Sequence, residues 1–232
     1  MPSKLLSTLS DLLSPRACTC CGCRLGIDER VLCTACNTRL PRTLFAEDAL
    51  DNEMAQLFWK RLPVERAAAL FFYQPNSSSG QMIYDLKYHG RPNVGLALGR
   101  LAAQEMARSQ FFEDIDVIIP LPLARGRERE RGYNQSLLIA EGVSEVTHLP
   151  ICDDAVRRIR ETRSQTRLSH EERADNIEGA FRLVRPERVA GRHVLIVDDI
   201  VTSGATVVAC GEAIATAGGV RISVLSLGYT KV

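Results

Sequence analysis

The sequence predicts an α/β protein: a parallel sheet with helices on both faces, carrying a small cysteine-rich module near its start. Three observations lead there. Short β-branched apolar runs alternate with segments of helical periodicity, the pattern of a sheet built from strand–helix units. One run, His193 to Val197, leads through two aspartates into a Thr/Ser/Gly turn that opens a small-residue helix. Six of the eight cysteines fall between Cys18 and Cys36, so they form a framework of their own. The 232 residues hold one domain of roughly 150–200 residues plus an appendage. The expected division is 1–55 for an amphipathic helix, the cysteine module and a connecting helix, and 56–232 for the α/β domain.

The elements follow in order. Leu5, Leu6, Leu9, Leu12 and Leu13 recur at helical spacing with polar residues between, which predicts a short docking helix. Only Lys4 supplies positive charge there, and the stretch lacks the unbroken apolar core of a secretory signal. After the cysteines, Pro41 to about Leu62 reads as helical and Ala67–Tyr73 as the first strand. Asn76–Gly80 reads as a loop, and Gln81–Lys87 and Val94–Arg108 as helices broken by Gly90 to Asn93. Asp116–Ile119, closed by Pro120, is a buried strand, and Asn134–Val143 is the helix returning from it. Val156–Ile159 is a further candidate strand. Arg160–Glu178 is polar, the composition either of a mobile active-site loop or of a disordered segment. His193–Val197 is a buried parallel strand, Ala205–Ala217 a helix stopped by Gly218-Gly219, and Val220–Leu227 the strand that closes the sheet.

The cysteines read Cys18-Thr19-Cys20-Cys21-Gly22-Cys23 and Cys33-Thr34-Ala35-Cys36. Two C-x-x-C knuckles across a short loop have the spacing of a tetrahedral thiolate zinc site. The second knuckle is unambiguous. In the first, Cys18 with Cys21 and Cys20 with Cys23 both fit, and Cys18 and Cys21 are preferred because Gly22 then follows the second ligand. The surplus cysteines leave an iron–sulfur cluster open; disulfides would need an oxidising compartment, against a cytoplasmic expectation. Four sulfur ligands leave no open position, so the expected zinc is structural. Cys152 and Cys210 sit in apolar surroundings and read as core.

A net charge of +1 excludes a polycation, and no apolar run is long enough to cross a bilayer. The positive charge is nearly all arginine. Arg125, Arg127, Arg129 and Arg131 alternate in one stretch, and Arg157, Arg158, Arg160, Arg163, Arg167 and Arg173 form a second group. The guanidinium fork suits phosphate oxygens, although salt-bridged surface serves equally well for any single one.

The strongest chemical signal is Val194 to Thr206. A helix N-terminus offers unpaired N–H groups and a positive dipole end to an anion. Gly204 permits close approach, and Thr202, Ser203 and Thr206 add hydroxyl donors. The position at the carboxyl end of a parallel strand is where such sheets bind ligands. Asp198 and Asp199 would repel phosphate, so they belong one step away, on sugar hydroxyls or on water around Mg²⁺.

In its ordered combination, Val197-Asp198-Asp199-Ile200-Val201-Thr202-Ser203-Gly204-Ala205-Thr206 resembles the signature loop of the type I phosphoribosyltransferases. Pro120-Leu121-Pro122-Leu123, Arg131-Gly132-Tyr133-Asn134-Gln135, Leu86-Lys87-Tyr88 before Gly90, and Arg163, Thr166, Arg173 and Asn176 running into Gly179-Ala180-Phe181 resemble the ComF family, an amidophosphoribosyltransferase-type group that includes the GntX-like proteins. The amino-terminal knuckles fit as well, except that the first has two extra cysteines.

The resemblance implies a type I phosphoribosyltransferase-like sheet and a double zinc ribbon. It implies a site for phosphoribosyl pyrophosphate with Mg²⁺. Val201, Thr202, Ser203, Gly204, Ala205 and Thr206 would hold the 5′-phosphate, with Lys87 nearby. Asp198 and Asp199 would act as the catalytic pair on the ribose. Arg125 or Arg127 would hold pyrophosphate, and Arg163 and Arg167 would close over it. A role in natural competence or the use of external DNA is implied by the same resemblance, with proteins of the DNA-uptake machinery as partners. The alternative is a non-catalytic platform for nucleotides or single-stranded DNA, using Arg129, Arg131 and Tyr133, with Tyr88 as a second stacking surface. A third reading is a sensor of phosphoribosyl pyrophosphate.

Overall fold

The computed structural model describes residues 16–160 and 179–231. The helix expected over Met1–Leu13 lies outside the described residues, as do Arg163, Thr166, Arg167, Arg173 and Asn176. In chain order the elements are helices α1 (Thr34–Thr38) and α2 (Glu53–Gln56), strand β1 (Val64–Phe72), helices α3 (Ser78–Tyr88) and α4 (Pro92–Met106), and strand β2 (Val117–Pro120). Helices α5 (Arg125–Arg131) and α6 (Gln135–Thr147) follow, then strands β3 (Val156–Arg158), β4 (Phe181–Leu183) and β5 (His193–Val201), helix α7 (Ala205–Ala215) and strand β6 (Arg221–Tyr229).

Four strands form one parallel sheet in the order β1-β6-β5-β2. The register pairs Pro120 with Val197 and Val197 with Leu225, so the carboxyl ends of β2, β5 and β6 finish at one edge. Pro120 is tolerated because it ends a strand flanked on its outer side only by a bridge from Ile118 to Ile151. Helices cover both faces: α6 rests on β5 and β2, α7 packs on β5, β6 and the short strands, and α2 lies against β1. The inner strands β5 and β6 are accordingly buried along nearly their whole length, which their Val/Ile/Leu composition requires. Helices α4 and α6 approach closely enough that a Cβ on Gly99 would lie 2.2 Å from the Ile139 carbonyl oxygen, and one on Gly142 2.2 Å from that of Leu96. Among the described residues no helix is long and apolar enough to cross a membrane.

Three expected elements differ. The single helix over Pro41–Leu62 is instead a 3₁₀ turn at Phe45–Asp48 and the one-turn helix α2. The buried Asn52 accounts for the break. Its Oδ1 accepts from the Met54 and Ala55 amides, while its Nδ2 donates to the carbonyls of Phe45, Asp48 and Ala67. One side chain thereby caps α2 and ties the segment to β1, a tertiary competition that helical periodicity does not encode. The expected loop at Asn76–Gly80 is largely helix, because the Ser77 hydroxyl caps α3 by accepting from the Gly80 amide. Val156–Arg158 is a strand, but it pairs antiparallel with β4 in a separate two-stranded ribbon. The arginine-rich stretch forms α5, ended by Gly132 in the left-handed region.

The cysteine module joins the sheet through backbone and side chains, with Arg42 bridging Phe71 of β1 and the Phe72 amide donating to the Pro41 carbonyl at 2.7 Å. Arg42 makes an ion pair with Glu105 on α4 at 2.6 Å and also donates to the Asn37 carbonyl. Leu25, Leu32, Leu40 and Phe45 belong to the same apolar core as the sheet.

Candidate functional site

The acidic pair sits in β5 itself and not in the loop after it. The strand runs to Val201, so Asp198 and Asp199 are held by the register Asp198–Ser226 and Ile200–Gly228. Both carboxylates are buried. Asp198 Oδ1 accepts from the Asp199 amide at 2.8 Å and from Ser136 Oγ at 3.2 Å. Burial, and then the neighbouring Asp199 charge, push the Asp198 carboxyl up to about 7. Lys87 Nζ lies 3.0 Å from Asp199 Oδ2. That contact is ionic and not an aligned hydrogen bond, for the same oxygen has no hydrogen-bond partner. A single lysine therefore faces the buried acidic pair, and Asp198 holds its proton more tightly than an exposed carboxyl would.

The loop that follows is Thr202 to Gly204. Thr202 is exposed, Ser203 and Thr206 are half-buried, and Val201, Gly204 and Ala205 are buried. Gly204 is the N-cap of α7 at φ +71°, with no side-chain cap, so the first-turn amides keep their donor capacity. A Cβ at Gly204 would also lie 2.9 Å from Phe58 Cε1, and Arg61 Nη1 donates to the Ser203 carbonyl at 2.8 Å. The segment after α2 thus buttresses the loop. That support is absent from the loop's own sequence and rests on Phe58 and Arg61, which no motif marks. Ser136 is the other residue the sequence does not flag; it reaches Asp198 because the Asn134 side chain caps α6 two residues earlier.

The remaining expected site residues divide. Arg125 and Arg129 are exposed on α5, and Arg127 is half-buried. Arg131 lies over the Tyr88 ring, 5.5 Å from its centroid, and donates to Gln135 Oε1 at 2.7 Å. Tyr133 is half-buried against the core, and its hydroxyl donates to the Leu86 carbonyl at 2.6 Å, so it ties α3 to the turn before α6.

At the other end of the chain, Cys18, Cys21, Cys33 and Cys36 place their sulfurs within 4.8 Å of one another, with Cys21 and Cys33 at 3.8 Å. Zn–S bonds of about 2.3 Å in a tetrahedron require sulfurs roughly 3.8 Å apart, so the cluster fits that ion. Gly22, at φ +71°, makes the turn after Cys21. The Cys23 amide pulls the Cys21 thiol down to about 6, toward the thiolate a metal needs. Cys20 points away to the Ser78 carbonyl, at 3.5 Å, and burial followed by the Cys18 charge pushes it up to about 11.

Fold and loop together define a phosphoribosyl-transferase-type domain, and the model of the phosphoribosyl transferase domain matches residues 87–228. Over 229 residues, 94% of this chain and 99% of the relative, the sequence is 32% identical to the DNA utilization protein YhgH of Escherichia coli K12. It is 27% identical to competence protein F of Haemophilus influenzae over 191 residues, 81% of this chain and 80% of that one. A segment of 90 residues, 39% of this chain and 34% of the relative, is 30% identical to competence protein ComFC of Bacillus subtilis. The chain belongs to the ComF family of phosphoribosyl transferase domain proteins.

Proposed function

We propose that the protein binds phosphoribosyl pyrophosphate with Mg²⁺ at the end of β5 and acts in the use of external DNA. The observation that carries the reading is the buried Asp198–Asp199 pair beside an uncapped helix N-terminus that opens at a left-handed Gly204. The backbone from Val201 to Thr206 receives the 5′-phosphate through first-turn amides and through the Thr202, Ser203 and Thr206 hydroxyls. Asp198 and Asp199 accept from the ribose hydroxyls or from water on Mg²⁺, with Lys87 balancing their charge. Their carboxylates oppose the positive charge that develops at the anomeric carbon. In transfer, a nitrogen nucleophile bonds to that carbon while the carbon–oxygen bond to pyrophosphate breaks. The leaving pyrophosphate keeps the electron pair, and Arg125 or Arg127 holds it.

Calorimetry with phosphoribosyl pyrophosphate and Mg²⁺ tests this. Binding heat that vanishes in Asp199→Asn supports it, and no heat from the wild-type protein removes it. Release of pyrophosphate across a panel of bases and nucleotides then separates turnover from binding.

A second reading, a single-stranded DNA platform without turnover, is favoured by one feature: Arg131 stacked on the exposed Tyr88. Arg129 and Arg131 would meet phosphates and Tyr88 a base, whereas the Tyr133 hydroxyl is already engaged. Salt-dependent gel retention that survives Arg131→Ala removes this version. On either reading Cys18, Cys21, Cys33 and Cys36 hold a structural zinc, proteins of the DNA-uptake machinery are the expected partners, and the cytoplasm is the expected location.

A further inference from the structure

Beyond the phosphate loop, a cleft of about 560 Å³ opens between the start of α5 and the β3–β4 ribbon. Arg125 borders it on one side, and Arg157, Arg158 and Arg182 on the other. Arg157 and Arg182 are direct cross-strand partners in the antiparallel register. Like charges directly opposite one another weaken a strand pair, and here each strand is only three residues long. Among the described residues, Arg125, Arg157 and Arg182 make no ion pair with a carboxylate. Glu128 and Asp153 border the cleft without engaging them. The next acid along, Asp154, is taken by Arg185 at 2.6 Å, with Arg188 at 3.8 Å. The crowding recurs at Arg158, which lies 5.4 Å from the Phe181 ring centroid: burial, and then the Arg127 charge, lower its pKa.

Among the described residues, Arg125, Arg157 and Arg182 meet no carboxylate, so they make a field that draws an anion, and their planar forks match phosphate oxygens. The cleft also presents apolar surface, with Ile159 47% and Val184 37% exposed beside Pro122. A ligand that satisfies both halves carries a phosphate and a flat, weakly polar body. We infer that this cleft is a nucleotide site, holding a phosphate between Arg125, Arg157 and Arg182 and the base against Ile159 and Val184. Arg125 is shared with the pyrophosphate contact proposed above and Arg158 feels the Asp198 charge, but Arg157 and Arg182 stand apart from the β5 loop, and the cleft requires no sugar diphosphate there. The phosphate can belong to a free nucleotide or to the backbone of a single strand.

The test is calorimetry of the full chain at low salt with a nucleoside 5′-monophosphate, a short oligothymidylate and the uncharged nucleoside. The monophosphate or the oligonucleotide binds and the nucleoside does not. In the double variant Arg157→Gln/Arg182→Gln, affinity falls by roughly 100-fold or more, the loss of two charge-assisted contacts. Because that variant removes a like-charge pair, its melting temperature is equal to the wild type's or higher. Binding of the monophosphate assigns the site to free nucleotides, and binding of the oligonucleotide alone assigns it to a strand. Wild-type affinity in the double variant overturns the inference. So does a lower melting temperature, which would place the arginines in partnerships within the fold. If the wild type ignores phosphoribosyl pyrophosphate yet binds nucleotide through these arginines, the function proposed for the loop falls and this site stands.

Discussion

Replacing Asp198 with Asn isolates the cost of holding a charge at the end of β5. The native carboxyl is buried and raised from an ordinary 3.8 to about 7, chiefly by burial and then by Asp199. Between those values the folded protein binds more protons than the unfolded chain, so this group's contribution to stability is greatest below pH 4 and is lost as pH rises through 7. Integrating the two titrations from pH 5 to pH 8 gives a loss of about 2–3 kcal/mol, an upper bound if Lys87 or solvent relaxes around the charge. Asn keeps the acceptor oxygen for Ser136 Oγ and the Asp199 amide but never ionises. Urea unfolding of both proteins at several pH values, without Mg²⁺, reads the difference directly. The Asn variant gains on the wild type by about 2–3 kcal/mol across that range, while titrating groups remote from Asp199 and Lys87 cancel in the comparison. A stability difference that stays flat with pH would show that the carboxylate is ionised at no cost, and would remove the charge cost that Mg²⁺ is proposed to relieve at this pair.

Two further outcomes follow from the geometry. Gly204→Ala puts a Cβ at φ +71° and 2.9 Å from Phe58, so it costs roughly 1–3 kcal/mol and disorders the loop. The companion variant Phe58→Ala, which removes a fully buried ring, costs about 3–5 kcal/mol and weakens anion binding at a distance, checked by thermal melts and calorimetry. At the cysteine cluster, where zinc is proposed, elemental analysis of purified Cys33→Ser finds no metal and its soluble yield falls, whereas Cys20→Ser retains a full metal equivalent because its sulfur lies outside the tetrad. Metal loss in both variants would contradict that ligand set.

Features whose physics is local were legible in the order of the residues. A β-branched run announces a doubly buried strand, a glycine after a hydroxyl-rich turn announces a helix start, and C-x-x-C spacing announces a cluster of thiols; β5 and α7 begin where those patterns put them, though β5 runs on to Val201, and the four sulfurs gather as the spacing requires. Cys18 and Cys21, preferred for the turn that Gly22 permits, are the two whose sulfurs gather with those of Cys33 and Cys36. Tertiary structure alone decided what depends on residues far apart in the chain. Asn52 breaks a helix its neighbours would otherwise propagate, because β1 supplies a carbonyl for it to bind. Ser136 and Lys87 reach the aspartates from two different helices, and Phe58 locks a loop about 145 residues downstream. The cross-strand register that sets Arg157 against Arg182 exists only once β3 and β4 pair. Periodicity reports which face of one element is buried, but not which other element buries it, and in this protein the electrostatics of the site come from that second choice.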